Sequence, residues 1–134
     1  MAPALSEDSL LSRMQSGNVM AADCPSRLVL QHLTSRWGAL VMVALATGTH
    51  RFSALRRAVG GVSERMLAQT LQQLEGDGLV QRTAHAVVPP HVDYALTPLG
   101  AEAAALVVQL TGWIEGNLPR VMAHRATGGR QAAE

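Results

Sequence analysis

The clearest pattern of apolar and polar positions lies between residues 62 and 82. Leu67, Leu71 and Leu74 recur at i, i+4 and i+7, with Met66 and Thr70 beside them, which predicts one apolar stripe along a helix. Ser63 is placed to cap that helix, its side-chain oxygen accepting from first-turn N–H groups that lack a helical partner. Gly76 and Gly78 mark its end. The opposite face carries Arg65, Ala68, Gln69 and Gln72, with Gln73 at its edge, and is nearly free of acid before Glu75.

The same kind of reading orders the rest of the chain. Ser6 is a cap for a short helix over 7–14 within an N-terminal arm of residues 1–23. Pro25, suited to a first helical position, opens a helix to about Thr34 with Leu28, Val29 and Leu33 inward. A second helix runs from Trp37 to about Ala46, with Trp37, Leu40, Val41, Ala44 and Leu45 on its core side. His50-Arg51-Phe52 reads as an extended link, and Ser53 caps a third helix over 53–59. Gly60-Gly61 is the turn into the 63–75 helix, so two short helices meet at a tight glycine turn, a helix-turn-helix pattern.

From Leu79 to His85 the periodicity changes to that of a strand, and Val92, Tyr94 and Leu96 alternate as another. Ala86-Val87-Val88-Pro89-Pro90 between them is a hairpin loop, since its prolines are unfit for a sheet centre. Thr97-Pro98 opens a last helix to about Glu115 whose apolar residues cover most of its circumference. Such a helix is buried on two sides. One side packs on its own domain, and the other predicts a partner subunit. Leu118, Val121 and Met122 carry the apolar surface past Pro119. The fold class expected is therefore mainly α with a small β-hairpin wing, a winged helix-turn-helix over residues 24–97. It would dimerise through N- and C-terminal helices, the latter over 98–125, and end in a disordered tail at 126–134.

Composition sharpens this picture in a few places. At 134 residues the chain is long enough for one domain with a core, and 48% hydrophobic with 3% aromatic content points to packed Leu, Val, Ala and Met. No apolar run reaches the length of a membrane span, and the N-terminus lacks the pattern of a secretory signal, so a cytoplasmic location is expected and no membrane partner. Net charge is only +1, but residues 27 to 91 hold seven arginines against three acids. The one cysteine, Cys24, excludes an intramolecular disulfide and a multi-cysteine metal site.

For chemistry, Arg and Gln each make two hydrogen bonds to one base edge, Arg to guanine and Gln to adenine. Arg65 and Gln69 are thus candidate base readers on double-stranded DNA, with Gln72 as a further contact. Ser63, at a helix N-terminus, favours a phosphate. Arg51, Ser53, Arg56 and Arg57 are candidates for backbone positioning. Arg82 has two readings, a DNA contact or an ion pair with Glu75. His85 and His91 flank the wing, near the minor groove or merely solvated.

Cys24 at a helix start, with Arg27 a turn along, is either a thiol of lowered pKa able to sense oxidants or a buried small hydrophobe. An organic effector in an apolar cleft near Cys24 and the dimer helix, walled by Trp37, is the competing signal. Cys24, His32, His50, His85, His91 and His124 are the metal-ligating types present, and none shows metal-type spacing, so neither a metal nor a cofactor is expected. Nothing resembles a Ser-His-Asp set, a phosphate-cradling glycine loop or paired carboxylates in an apolar setting, which argues against an enzyme. A winged helix that binds proteins instead of DNA is the remaining alternative.

Several landmarks occur in order: Cys24-Pro25, Arg36-Trp37, Arg51-Phe52-Ser53-Ala54-Leu55-Arg56-Arg57, Val62-Ser63-Glu64-Arg65-Met66-Leu67, Leu74-Glu75-Gly76-Asp77-Gly78-Leu79-Val80, Val88-Pro89-Pro90 and Tyr94-Ala95-Leu96-Thr97-Pro98-Leu99-Gly100. Over about residues 24 to 115 the chain resembles the HxlR-type bacterial transcription regulators, relatives of the MarR group. The resemblance implies a homodimeric winged-helix DNA-binding repressor or activator, and a sensing role for the cysteine that matches Cys24. The chain departs from the family at Ser35-Arg36-Trp37, where Gly-Lys-Trp is frequent, and at His91, where Arg or Lys usually follows the wing prolines. His is mostly uncharged at neutral pH, which weakens the expected wing contact.

Overall fold

A computed structural model describes residues 18 to 133, so the helix expected over 7–14 lies outside the described residues. The elements in order are α1 (Pro25–Thr34), α2 (Arg36–Leu45), β1 (His50–Arg51), α3 (Phe52–Ala58), α4 (Glu64–Gly76), β2 (Val80–His85), β3 (His91–Leu96) and α5 (Pro98–Ala133). The architecture is mainly helical with one small antiparallel sheet of order β1-β3-β2. No single helix among the described residues is long and apolar enough to cross a membrane.

The core forms where the leucine stripe of α4 meets α2. Leu67, Leu71 and Leu74 are essentially sealed from solvent, as are Val41 and Met42 of α2 and Leu55 of α3. Burying each such side chain contributes about 1.5–3 kcal/mol. Val59 and Val62 enter the same cluster from either side of the Gly60-Gly61 turn. Gly61 there has φ of 89°, a conformation that L side chains rarely adopt. The core side of α2 differs from expectation at Leu40, which is exposed, while Met42 is buried in its place. α1 differs as well: Leu28 points to solvent, and only its C-terminal part, through Leu33, packs on the core. An abrupt 72° bend at Ser35 between α1 and α2 is the reason, because it carries the first turns of α1 away from the cluster. Ser35 stabilises that bend by accepting from the Gly38 N–H at 3.0 Å.

The link at His50–Arg51 is a strand, pairing His50 with Tyr94 and Arg51 with Asp93. Two residues carry no periodicity, so the pairing leaves no mark in the sequence. It holds the backbone extended through Arg51, which becomes the N-cap residue of α3 without a side-chain hydrogen bond. The helix therefore starts at Phe52, and Ser53, expected to cap it, lies exposed in its first turn.

The hairpin forms where expected, with registers from Val80↔Leu96 to His85↔His91, but burial does not alternate along β2, which is buried at Val80 and exposed from Gln81 to Ala84. Its exit is clamped to the end of α4. Thr97 Oγ1 donates to the Gly78 carbonyl at 2.6 Å and accepts from the Gly100 N–H at 2.9 Å. A Cβ at Gly100 would collide with the Leu79 carbonyl oxygen, so only glycine lets α5 start this close to the wing.

α5 runs as one helix to Ala133, past the expected end near Glu115 and through residues expected to form a disordered tail. Pro119 removes one N–H from the helical ladder. Around it the Asn117 side chain donates to the Trp113 carbonyl at 2.8 Å, and Arg120 donates to Asn117 Oδ1 at 2.9 Å. Gly100, Ala104 and Val107 face the core. Leu99, Leu106, Leu110, Trp113, Ile114, Leu118 and Met122 are exposed on the remaining faces.

Two substitutions check this packing. Leu71→Ala should cost about 2–5 kcal/mol, and Gly100→Ala about 1–3 kcal/mol through the forced backbone shift, both read by chemical denaturation. A neutral Gly100→Ala would contradict the close approach of α5 to Leu79.

Candidate nucleic-acid interface

α4 presents its two faces as opposites. Arg65, Gln69 and Gln72 stand at i, i+4 and i+7 on the side away from Leu67, Leu71 and Leu74, and all three are exposed. The helix is capped as expected: Ser63 Oγ accepts from the Met66 N–H at 3.1 Å. That fixes the first turn, where a helix entering a groove makes its base contacts.

Around this helix the expected backbone contacts separate into groups. Arg51 and Ser53 line a cavity of about 310 Å³ together with Phe52, Pro90, His91 and Val92, so the start of α3 and the root of the wing form one cradle. Arg56 lies 3.9 Å from Glu64 across the helix-turn-helix, with both side chains well exposed, a pair of about 0–1 kcal/mol. Arg57 and Arg82 are exposed and form no ion pair among the described residues. The Arg82–Glu75 pair considered above is thus not made, and Arg82 is exposed on β2 although it stands opposite the buried Tyr94.

His85 and His91 are not merely solvated loop residues. They are directly opposed across the hairpin, their rings stacked with centroids 4.7 Å apart, and His85 Nε2 lies 2.9 Å from Asp93 Oδ2. The expectation that no ligand set has metal-type spacing held only along the chain. The hairpin register brings His85, His91 and Asp93 together, their ligating atoms all within 4.8 Å of one another.

Sequence reasoning also missed a side-chain hydrogen bond between distant segments. His32 at the end of α1 meets Asp77, the C-cap residue of α4, at 2.6 Å, with both side chains largely buried. The two are separated by 45 residues, and no local signal could have joined them. The pair ties the helix that begins at Cys24 to the end of α4.

Cys24 is buried at the N-cap position of α1, its Sγ 3.1 Å from Ser26 Oγ. Hydrogen bonds from the Ser26 side chain and backbone hold the thiol below its ordinary pKa, against the opposing effects of burial and the Asp23 carboxylate. Arg27, expected to be the cause, instead donates to the Met20 carbonyl at 3.3 Å. Trp37 is the residue expected to wall a cleft near Cys24. It packs on the core beside Gly61, with the Arg36 guanidinium 5.1 Å from its ring centroid. The apolar cleft lies further along α1, about 240 Å³ between Leu30, Leu33 and Thr34 and the α5 residues Ala103, Leu106, Val107 and Leu110.

Two helices at a glycine turn followed by a paired hairpin define a winged helix-turn-helix. The sequence profile of the HxlR-like helix-turn-helix family matches residues 32–122, and the chain belongs to that family. It is 59% identical over 121 residues to the HTH-type transcriptional regulator YtfH of Escherichia coli, covering 90% of this chain and 96% of that protein. The solved YtfH regulator from Salmonella typhimurium superposes with a TM-score of 0.79 at 60% identity, over 81% of this chain and 97% of that one. The oxidised form of the redox regulator HypR superposes with a TM-score of 0.64 at 34% identity, over 70% of this chain and 97% of that one. The protein is accordingly a helix-turn-helix transcriptional regulator.

The thiol geometry predicts a pH profile. A lowered pKa keeps the thiolate, the reactive form, present below the ordinary thiol range, so the rate of Cys24 alkylation by iodoacetamide should rise at lower pH than for a free cysteine. Ser26→Ala should move that midpoint upward, read by mass spectrometry across pH. An unmoved midpoint would remove Ser26 as the cause.

Proposed function

We propose that this regulator binds double-stranded DNA as a homodimer, with two copies of α4 in successive major grooves of a pseudo-palindrome, half-sites about 10 bp apart. The observation that carries the reading is the exposed face of Arg65, Gln69 and Gln72 on a capped helix whose opposite face is sealed in the core. Arg51, Ser53, Arg56, Arg57 and Ser63 serve as phosphate contacts. Arg82, His85 and His91 lie along the wing. The apolar side chains left exposed on α5, from Leu99 to Met122, are the surface for the second copy, since a monomer leaving so many there is unusual.

For the signal, the lowered pKa of Cys24 supports a thiol switch, in keeping with HypR, a redox regulator by description. Two Cys24 thiols of two chains, or Cys24 and a small thiol, would form a disulfide as the oxidant takes two electrons and both protons are released. Because Cys24 opens α1 and His32 closes it against Asp77, a change at the thiol has a direct route to the end of α4. The cleft between α1 and α5 favours a second reading, a small apolar effector bound there.

Fluorescence anisotropy with DNA from upstream of the protein's own gene tests these assignments. Arg65→Ala should cost about 1–3 kcal/mol on the operator and relax specificity, whereas Arg57→Ala should weaken operator and random DNA alike. Equal losses on both DNAs from both variants would falsify this division of labour, and no change from either would favour a winged helix that binds proteins. Oxidant should abolish binding in the wild type and spare Cys24→Ser; indifference of both to oxidant favours the apolar effector. In sedimentation, Trp113→Glu should convert a dimer to a monomer.

A further inference from the structure

We propose that His85, His91 and Asp93 form a binding site for a borderline divalent transition-metal ion, zinc being the case they fit, at the root of the wing. Strand register builds the site. His85 and His91 are the last opposed pair before the loop, and Asp93 lies two residues further along β3, so all three side chains share one face of the sheet. Two imidazoles and one carboxylate are a donor set that zinc accepts, with water completing the coordination.

The spacing of the donors fits the ion. Zinc bonds of about 2.0–2.2 Å place tetrahedral ligand atoms about 3.3 Å apart. Asp93 Oδ2 lies 2.9 Å from His85 Nε2 and 3.8 Å from His91 Nε2, on either side of that value, and the whole set lies within 4.8 Å. Modest ring rotations on a fixed backbone close the difference.

An ordinary His–Asp ion pair accounts for only half of this cluster. It engages His85 and leaves His91 without a hydrogen bond: Nε2 is too far from the carboxylate, and Nδ1 is buried with no partner. A metal ion engages both imidazoles in their neutral form and keeps the carboxylate paired. Arg51, the cross-strand neighbour of Asp93, is the other charged group beside the site.

The test uses the full-length, tag-free Cys24→Ser protein without DNA, so its outcome is independent of the DNA-binding reading. Zinc affinity is measured by competition with a chromophoric chelator, and cobalt(II) serves as a probe of coordination through its visible absorption. One ion per chain is expected. His91→Ala and Asp93→Asn should each weaken zinc more than about tenfold, since even an outer-shell partner is worth about 10–100-fold. His50→Ala, His124→Ala and Arg51→Ala should leave it unchanged. Circular dichroism of the metal-free variants confirms that the hairpin variants remain folded, and zinc should raise the melting temperature of the parent but not of Asp93→Asn, a near-isosteric change. Zinc binding that survives in the His91→Ala/Asp93→Asn double variant, or no binding above that variant's level in the parent, overturns the proposal.

Discussion

Leu67, Leu71 and Leu74 on α4, buried against Val41, Met42 and Leu45 of α2, are the interaction on which the rest of the structure depends. The helix cannot rotate about its axis without exposing this stripe, so the orientation of Arg65, Gln69 and Gln72 is set by apolar packing on the side they do not occupy. Hydrophobic burial has no direction of its own. Direction comes from the helical period, which turns one sealed face into one presented face. Val59 and Val62, on either side of the Gly60-Gly61 turn, extend the same cluster into α3 and fix the angle at which the two helices meet.

The wing is held by a different chemistry. Thr97 bonds both the turn after α4 and the first turn of α5, and its backbone N–H reaches the Leu79 carbonyl at 3.1 Å. Three elements therefore share one polar junction, with Gly100 allowing the approach. On its other edge the hairpin is secured by β1, whose two residues also set where α3 begins. The cradle of Arg51, Ser53 and His91 results from that pairing. A two-residue strand thus brings the start of one helix to the root of the wing.

The His32–Asp77 pair gives the fold a long-range connection of another kind. α1 buries none of its residues fully, so apolar packing alone fixes it weakly. A short, largely buried hydrogen bond at its end adds direction where packing supplies little. Cys24 caps one end of α1 and His32 holds the other end to Asp77, the C-cap residue of α4.

The sequence by itself determined the elements whose periodicity is sustained: α4 with its cap and its two faces, the place of the hairpin, the α1 boundaries and the apolar first half of α5. The order of landmarks from Cys24-Pro25 to Leu99-Gly100 was enough to indicate the family. Only the tertiary structure decided how separate segments meet. Periodicity reports burial averaged along a segment, so the outward turn of Leu28 depended on the bend at Ser35, and the exchange of Leu40 for Met42 on the core side of α2 depended on how that helix packs. A helix boundary set by a strand pairing, as at Phe52, has no local signal. Prolines mark helix ends on average, yet α5 continues through Pro119. Above all, ligand spacing along the chain could not reveal His85, His91 and Asp93 as one cluster, because the hairpin register, a property of two paired strands, places them on one face.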